Sequence, residues 1–253
     1  MRVAGRIFRI LKESEMAYRI PRARGQRLRD YPTYTIPEAA LFLGMSTRTL
    51  QRWILEKPLW TISGARYSVP LLSFQDIAQV YYVELIRSHF HLSMGKAREL
   101  LAASRTESRA QYPLLTGHLR RFFKHIILTK PARGKQPRRD IDLSHHRQLT
   151  IPQVVDLFGS RVQRVGADVT KLYPWRYWIP GTREETPVTL DPEVMSGRLV
   201  VTGTRIPVQV LLSRKKAGEP ISEIASDYDL SENEINLAIS HILPLERPSV
   251  SVS

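Results

Sequence analysis

A glycine that interrupts a helix-forming run constrains the fold of this chain more than any other feature. Thr35 can cap a helix whose first turn contains Pro37 and Glu38, and the missing amide of proline costs nothing at that position. Gly44 ends the run, because only glycine readily adopts the left-handed backbone conformation of a tight turn. The pattern predicts a short helix that ends in such a turn.

The segment after the turn predicts a second helix with one buried and one polar face. Ser46 is a good capping residue, and the apolar side chains that follow it recur at helical spacing: Leu50, Trp53 and Ile54. The opposite face carries side chains that can reach guanine, adenine or phosphate in a DNA major groove: Thr47, Arg48, Gln51 and Arg52. A plain helical hairpin with a solvated arginine face has the same pattern, and this alternative stays open.

Further elements follow this helix pair. Two short apolar runs, at 59–62 and 66–71, flank a Ser-Gly turn signal and predict a small β-hairpin. Its second strand would begin at Arg66. Ser73 and Asp76 form a capping-box pattern at the start of a longer helix, and Ser93 can cap another helix. A helix pair, a hairpin and further helices in this order are typical of a winged helix-turn-helix.

The same stretch resembles the MerR-like DNA-binding domain. Its Tyr-Thr-Ile-Pro-Glu-Ala-Ala opening at Tyr34, its turn at Gly44–Ser46 and its Thr-Leu-Gln-Arg-Trp segment at Thr49–Trp53 occur in the order of that family. The resemblance implies a winged helix-turn-helix over residues 31–105. The candidate DNA-binding residues of this domain are Thr47, Arg48, Gln51, Arg52 and Arg66.

Positive charge is concentrated in the first half of the chain. The whole sequence has 38 Lys and Arg against 24 Asp and Glu, a net charge of +14. Residues 1–139 hold 26 of these basic residues and only 9 of the acidic ones, whereas residues 140–253 are slightly acidic. Residues 1–30 contain nine Lys and Arg without a helical period, which predicts a basic arm. Such a field attracts nucleic acid, although a role in solubility explains the charge equally well.

A second unit is predicted over residues 188–243. Short apolar runs at 188–190 and 199–202 predict two strands, and Gly203 marks the corner after the second strand. Pro207 and Pro220 can open helices, and Ser231 begins the capping-box pattern Ser-Glu-Asn-Glu of a third. The last two helices have the spacing of another helix-turn-helix.

This second unit resembles a small family of domains of uncharacterised function that is found in bacterial antitoxins. The matching segments are Leu190–Val194, the Gly-Thr-Arg-Ile-Pro-Val run at Gly203–Val208, and Gly218–Ile224. With a MerR-like domain before it, the chain resembles VapB-type antitoxins of type II toxin–antitoxin systems. The resemblance implies a PIN-domain ribonuclease toxin as partner, repression of the protein's own operon, and a homodimer or a hetero-oligomer with the toxin.

Two arginines are candidate toxin contacts, namely Arg205 and Arg247. Arg247 lies between two prolines in the tail, residues 244–253, where a guanidinium could pair with the carboxylates of a nuclease site, or could be incidental in a frayed end. Arg205 could instead hold a carboxylate or a helix end within the module. Five acidic residues crowd the second helix-turn-helix and favour protein over DNA as its partner: Glu223, Asp227, Asp229, Glu232 and Glu234.

These patterns predict a mainly α fold with small β-hairpins, of α+β class. An N-terminal winged helix-turn-helix would be joined through a bridging region, residues 106–187, with short strands and a helix, to a C-terminal three-helix module with a helix-turn-helix-like end. The alternative function is a MerR-like transcription regulator that responds to a small molecule and has no toxin. An adjacent reading frame for a small PIN-type nuclease would distinguish the two.

The sequence also predicts what the chain lacks. It contains no cysteine, no phosphate-binding or nucleophile-elbow motif, and no apolar run near the ~20 residues of a membrane helix. The pairs His89/His91 and His145/His146 have no third ligand at a convincing spacing. We therefore expect a cytoplasmic, non-enzymatic protein with no catalytic residues, no metal and no cofactor.

Overall fold

The structure is a computed structural model that describes residues 27–89, 92–115, 159–165, 168–174 and 186–243. Most of the predicted basic arm, much of the predicted bridging region and the tail with Arg247 lie outside these ranges. The described residues form seven α-helices and two small antiparallel sheets, which confirms the α+β class.

The first helix pair forms where the sequence predicts it. Strand β1 (Tyr34–Thr35) leads into α1 (Ile36–Phe42), and α2 (Thr47–Gln51) continues as a π-helical turn over Arg52–Glu56. Thr35 and Glu38 form a capping box, in which each side chain accepts a hydrogen bond from the backbone amide of the other residue. Gly44 has a φ of 65°, and the Ser46 hydroxyl accepts a hydrogen bond from the Thr49 amide at 3.1 Å. The predicted caps and turn are thereby confirmed.

The prediction of a β-hairpin around Ser63-Gly64 is wrong. Strand β2 (Leu71–Leu72) pairs antiparallel with β1. The segment 57–70 forms no strand, and its one β-pairing is an isolated bridge from Gly64 to Leu71 of β2. The reason lies in a competing acceptor, because the Ser63 amide donates to the buried carboxylate of Asp76 at 3.0 Å. A backbone amide used in this way is not available to a strand ladder.

Asp76 anchors the whole segment between α2 and the next helix. It lies in the first turn of α3 (Phe74–His89), which is followed by α4 (Met94–Ser108). The fully buried carboxylate accepts hydrogen bonds from the Trp60 indole at 2.8 Å, from the Ser73 amide at 2.9 Å and from the Tyr112 hydroxyl at 3.1 Å. Burial, with the nearby Asp76 charge, raises the pKa of Tyr112 above its ordinary value, so the phenol stays a donor.

A four-stranded antiparallel sheet joins the bridging region to the C-terminal unit. Its order is β3 (Val162–Val165), β4 (Asp168–Leu172), β5 (Val188–Leu190) and β6 (Leu199–Val201). The central pairing places Leu172 opposite Leu190, both fully buried. The predicted strands of the C-terminal unit are therefore completed by two strands from outside it.

Three helices follow the sheet, as predicted. They are α5 (Val208–Lys216), α6 (Ile221–Tyr228) and α7 (Glu232–Ile242). Gly203 and Gly218 adopt positive φ values of 81° and 92° before and after α5. Ser231 and Glu234 form the predicted capping box at the start of α7.

One hydrophobic core runs through both halves of the described chain. The Tyr34 ring of β1 lies against Gly197, and the buried His241 of α7 bonds to the Phe42 carbonyl of α1. Farther out, Arg27 donates to Asp168 of β4 at 2.8 Å, and Arg29 also bonds to that carboxylate. The N-terminal and C-terminal units predicted from the sequence thus share one core.

Replacing Gly197 by alanine should destabilise the protein more than the same change at Gly203. Both glycines have positive φ, so each alanine costs roughly 1–2 kcal/mol of backbone strain. A methyl group at Gly197 would also overlap the Tyr34 hydroxyl, whereas nothing lies within 4 Å of one at Gly203. We expect an additional cost of about 1–3 kcal/mol at Gly197. Chemical denaturation of both variants measures the difference, and equal losses would contradict the packing of β1 on Gly197.

Asp76→Asn should lower the free energy of unfolding by about 3 kcal/mol, because an amide replaces one of the acceptor oxygens with a donor among buried donors. The control is Glu84→Gln, which weakens a half-exposed ion pair with Arg87 and should change stability by about 0.5 kcal/mol or less. Denaturant titration compares the two variants. Similar small effects would show that Asp76 does not anchor the segment.

Candidate nucleic-acid interface

The helix pair α1–α2 has one buried side and one exposed side. Leu50 is fully buried, and Trp53 and Ile54 are 2% and 4% exposed. These three side chains pack α2 and the π-helical turn into the shared core, as their spacing predicts. The buried face therefore determines which way the opposite face points.

The opposite face presents the predicted DNA-binding side chains of α2 to solvent. Arg48, Gln51 and Arg52 are exposed, and Thr47 is partly exposed. Within the described ranges, no residue forms an ion pair or a side-chain hydrogen bond with Arg48 or Arg52. Their guanidinium groups are available to an anionic ligand or to the acceptor atoms of guanine.

The π-helical turn at the end of α2 is a local irregularity at this face. The Lys57 amide donates to the Arg52 carbonyl at 3.0 Å, and the Leu59 amide donates to the Trp53 carbonyl at 2.9 Å. Turns of this kind are rare and are often found at functional sites. No pattern in the sequence predicts it.

Arg66 lies in the loop that replaces the predicted hairpin. Its side chain is exposed, and its guanidinium stands 5.7 Å from the centre of the neighbouring Tyr67 ring. The loop is held at both ends, by the Ser63 amide on Asp76 and by the pairing of β2 with β1. Arg66 is thus presented by an anchored loop and not by a strand.

Arg98 of α4 is a basic residue near this face that the sequence analysis missed. It donates to the carbonyl of Lys57, just after the π-helical turn, at 2.9 Å. Arg87 of α3 lies 5.7 Å from the Trp53 ring centre and is held by Glu84, whose hydrogen bond raises the pKa of Arg87. The contacts of Arg87 with Trp53 and of Arg98 with Lys57 join residues 34 and 41 positions apart, so no local pattern could have revealed them.

The C-terminal unit presents a different electrostatic surface. All five predicted acidic residues, which lie in α6, in α7 and in the turn between them, are exposed. Arg214 of α5 bonds to Glu219 and to Asp227 at 2.6 Å each, and these bonds, from Glu219 first, raise the pKa of Arg214. The Ser231 cap lowers the pKa of Glu234 and keeps it ionised. Negative charge therefore dominates this surface despite the pairing of Asp227.

The structural role considered for Arg205 is not found. Its side chain is exposed, and no carboxylate or helix end among the described residues bonds to it. Arg205 remains available to a partner. Arg247, the other candidate toxin contact, lies outside the described residues.

The described residues contain neither a candidate metal site nor a candidate membrane span. No three His, Asp or Glu side chains there are grouped to hold a metal ion, and His91, His145 and His146 fall outside these ranges. No helix among them is both long enough and apolar enough to cross a membrane.

Comparison with a protein family gives a match to part of the chain. Residues 188–241 match the model of a family described as a protein of unknown function, DUF433. The match covers the strands β5 and β6 and nearly all of the three helices that follow. None of the curated proteins matches the chain.

Comparison with solved structures shows that the fold has an experimental counterpart. The crystal structure of Rv2018 from Mycobacterium tuberculosis is similar, with a TM-score of 0.62 and 19% sequence identity. The likeness covers 83% of this chain and 98% of that chain. Because it extends well beyond residues 188–241, the arrangement of both halves in one molecule recurs in that protein.

Proposed function

We propose that this protein is a DNA-binding antitoxin, which neutralises a PIN-domain ribonuclease toxin and represses its own operon. One observation carries the DNA-binding part. Arg48, Gln51 and Arg52 project together from a short helix whose other face is buried, and no described residue pairs with either arginine. A rigid helix with free bidentate donors fits the edge of a base pair in the major groove.

The proposal assigns α1 and α2 to a helix-turn-helix, with α2 as the recognition helix. The turn at Gly44, the cap at Ser46 and the burial of Leu50 support this assignment. The anchored loop with Arg66 takes the place of a wing and contacts the DNA backbone or the minor groove. The concentration of basic residues in the first half of the chain supports a polyanionic partner.

The antitoxin part rests on the C-terminal unit. Its support is the resemblance of Gly203–Val208 to antitoxin domains and the acidic surface of α6 and α7, which phosphate groups would repel. That surface and the exposed Arg205 suit a protein partner better than DNA. The proposed assembly is a homodimer or a hetero-oligomer with the toxin, in the cytoplasm, without catalysis.

Co-expression with each neighbouring gene, followed by co-purification and a ribonuclease assay, tests the antitoxin part. We expect a small nuclease to co-purify and to be inactive until it is separated from this chain. If no neighbouring product binds while the protein binds its own promoter DNA, the small-molecule-responsive regulator becomes the better assignment. If neither binds, the whole proposal is wrong.

Replacing Arg48 and Arg52 together by alanine should weaken binding to operator DNA at least tenfold, because each lost base contact costs about 1–3 kcal/mol. The matched control replaces Lys215 and Lys216, two exposed basic residues of α5, and removes the same charge. Gel shift or fluorescence anisotropy measures both variants. Equal weakening would show that only net charge matters, and unchanged binding would place recognition elsewhere.

Deleting residues 1–26 should weaken binding to all DNA sequences similarly and flatten the dependence of affinity on salt. These residues contain seven Lys and Arg, and each phosphate contact contributes about 0.9 to the slope of log K against log salt. The deletion stops before Arg27 and Arg29, because both bond to Asp168. A full-length variant with the seven residues changed to Gln should match the deletion. An unchanged slope would show that the arm does not contact DNA.

A further inference from the structure

A histidine from the C-terminal unit completes the end of the first helix of the N-terminal pair. His241 of α7 is fully buried, and its Nε2 lies 2.7 Å from the carbonyl oxygen of Phe42. A carbonyl oxygen only accepts hydrogen bonds, so Nε2 carries the proton and donates it. The bond joins residues 199 positions apart in the chain.

Phe42 is the last residue of α1, where helices leave carbonyl groups without partners inside the helix. The turn satisfies three of these carbonyls through its own backbone. The amides of Leu43, Gly44 and Met45 donate to the carbonyls of Ala39, Leu41 and Ala40. The fourth carbonyl, that of Phe42, receives its hydrogen bond from His241. The C-terminal cap of α1 is therefore supplied in part by α7.

The position of this cap matters because the turn after Phe42 determines the orientation of α2. Only Leu43, Gly44, Met45 and Ser46 separate the two helices, and Gly44 is already held in a left-handed conformation. Packing supports the same junction, because α7 contacts α1 and both helices contribute buried side chains to the shared core. A shift of α7 against α1 would thus be transmitted to the helix that presents Arg48 and Arg52.

We propose that His241 is a positioning residue for DNA recognition, which sets the orientation of α2 through the Phe42 carbonyl. This inference rests on the proposed DNA-binding function. It assigns the C-terminal unit a part in DNA recognition although its acidic surface does not face DNA. His241 acts through α1 and does not contact the nucleic acid.

The test compares three buried substitutions in the full-length protein. His241→Leu removes the donor at similar size, whereas His241→Gln keeps an N–H near the position of Nε2. Thr189→Val is the control, because Thr189 is a buried residue of the same unit whose hydroxyl bonds to Thr202 at 2.8 Å and not to a residue of α1. Each variant is measured for binding to operator DNA and to unrelated DNA, and for amide hydrogen exchange over residues 43–51.

We expect His241→Leu to bind operator DNA about tenfold more weakly while its affinity for unrelated DNA changes by less than about twofold. His241→Gln should recover operator affinity to within about threefold, and Thr189→Val should leave it unchanged. Exchange at residues 43–51 should be faster in His241→Leu alone. If His241→Leu does not fold, His241→Asn replaces it, because its shorter amide does not reach the Phe42 carbonyl.

Other outcomes overturn the inference. Equal loss of operator affinity in His241→Leu and Thr189→Val would indicate general destabilisation, and no loss in either would show that the cap does not orient α2. Failure of the proposed function has a different signature. In that case the wild-type protein does not prefer operator DNA, whereas faster exchange over residues 43–51 in His241→Leu would still report the structural coupling.

Discussion

Short helices that cannot be stable alone explain much of this structure. The helix α1 has seven residues and α2 has five, whereas isolated helices below about 12–15 residues are marginal in water. Their stability must come from the apolar core, and that core includes residues from both ends of the described chain. The requirement to bury two very short helices therefore joins the N-terminal helix pair to the C-terminal unit.

Features whose physical cause lies within a few residues could be predicted from the sequence. The capping boxes at Thr35 and Ser231, and the turn at Gly44, depend on neighbours three residues away or on one backbone angle. The exposed face of α2 could be predicted in the same way, because helical spacing separates buried from exposed positions. These local signals located most of the described helices and both strands of the C-terminal unit.

Features that depend on distant partners could not be predicted. The hairpin prediction failed because the Ser-Gly signal competes with a carboxylate 13 residues farther on, at Asp76. The contacts of Arg98 with the Lys57 carbonyl and of Arg29 with Asp168 join residues 41 and 139 positions apart. For a related reason, the structural role considered for Arg205 is not found among the described residues, since an arginine in a turn does not reveal from sequence whether a carboxylate lies beside it.

The close approach of Tyr34 to Gly197 has a consequence for protein engineering. Exchanging the N-terminal half, which carries the proposed recognition helix, with that of another protein would normally be attempted by cutting at a linker. Here the grafted half must supply an aromatic ring that fits against Gly197, whose φ is 78°. It must also place the carbonyl at the end of its first helix within hydrogen-bond distance of His241. A chimera designed without these two features would lose its fold at the graft boundary, so variants of the proposed recognition surface are better made by substituting the exposed residues of α2 in place.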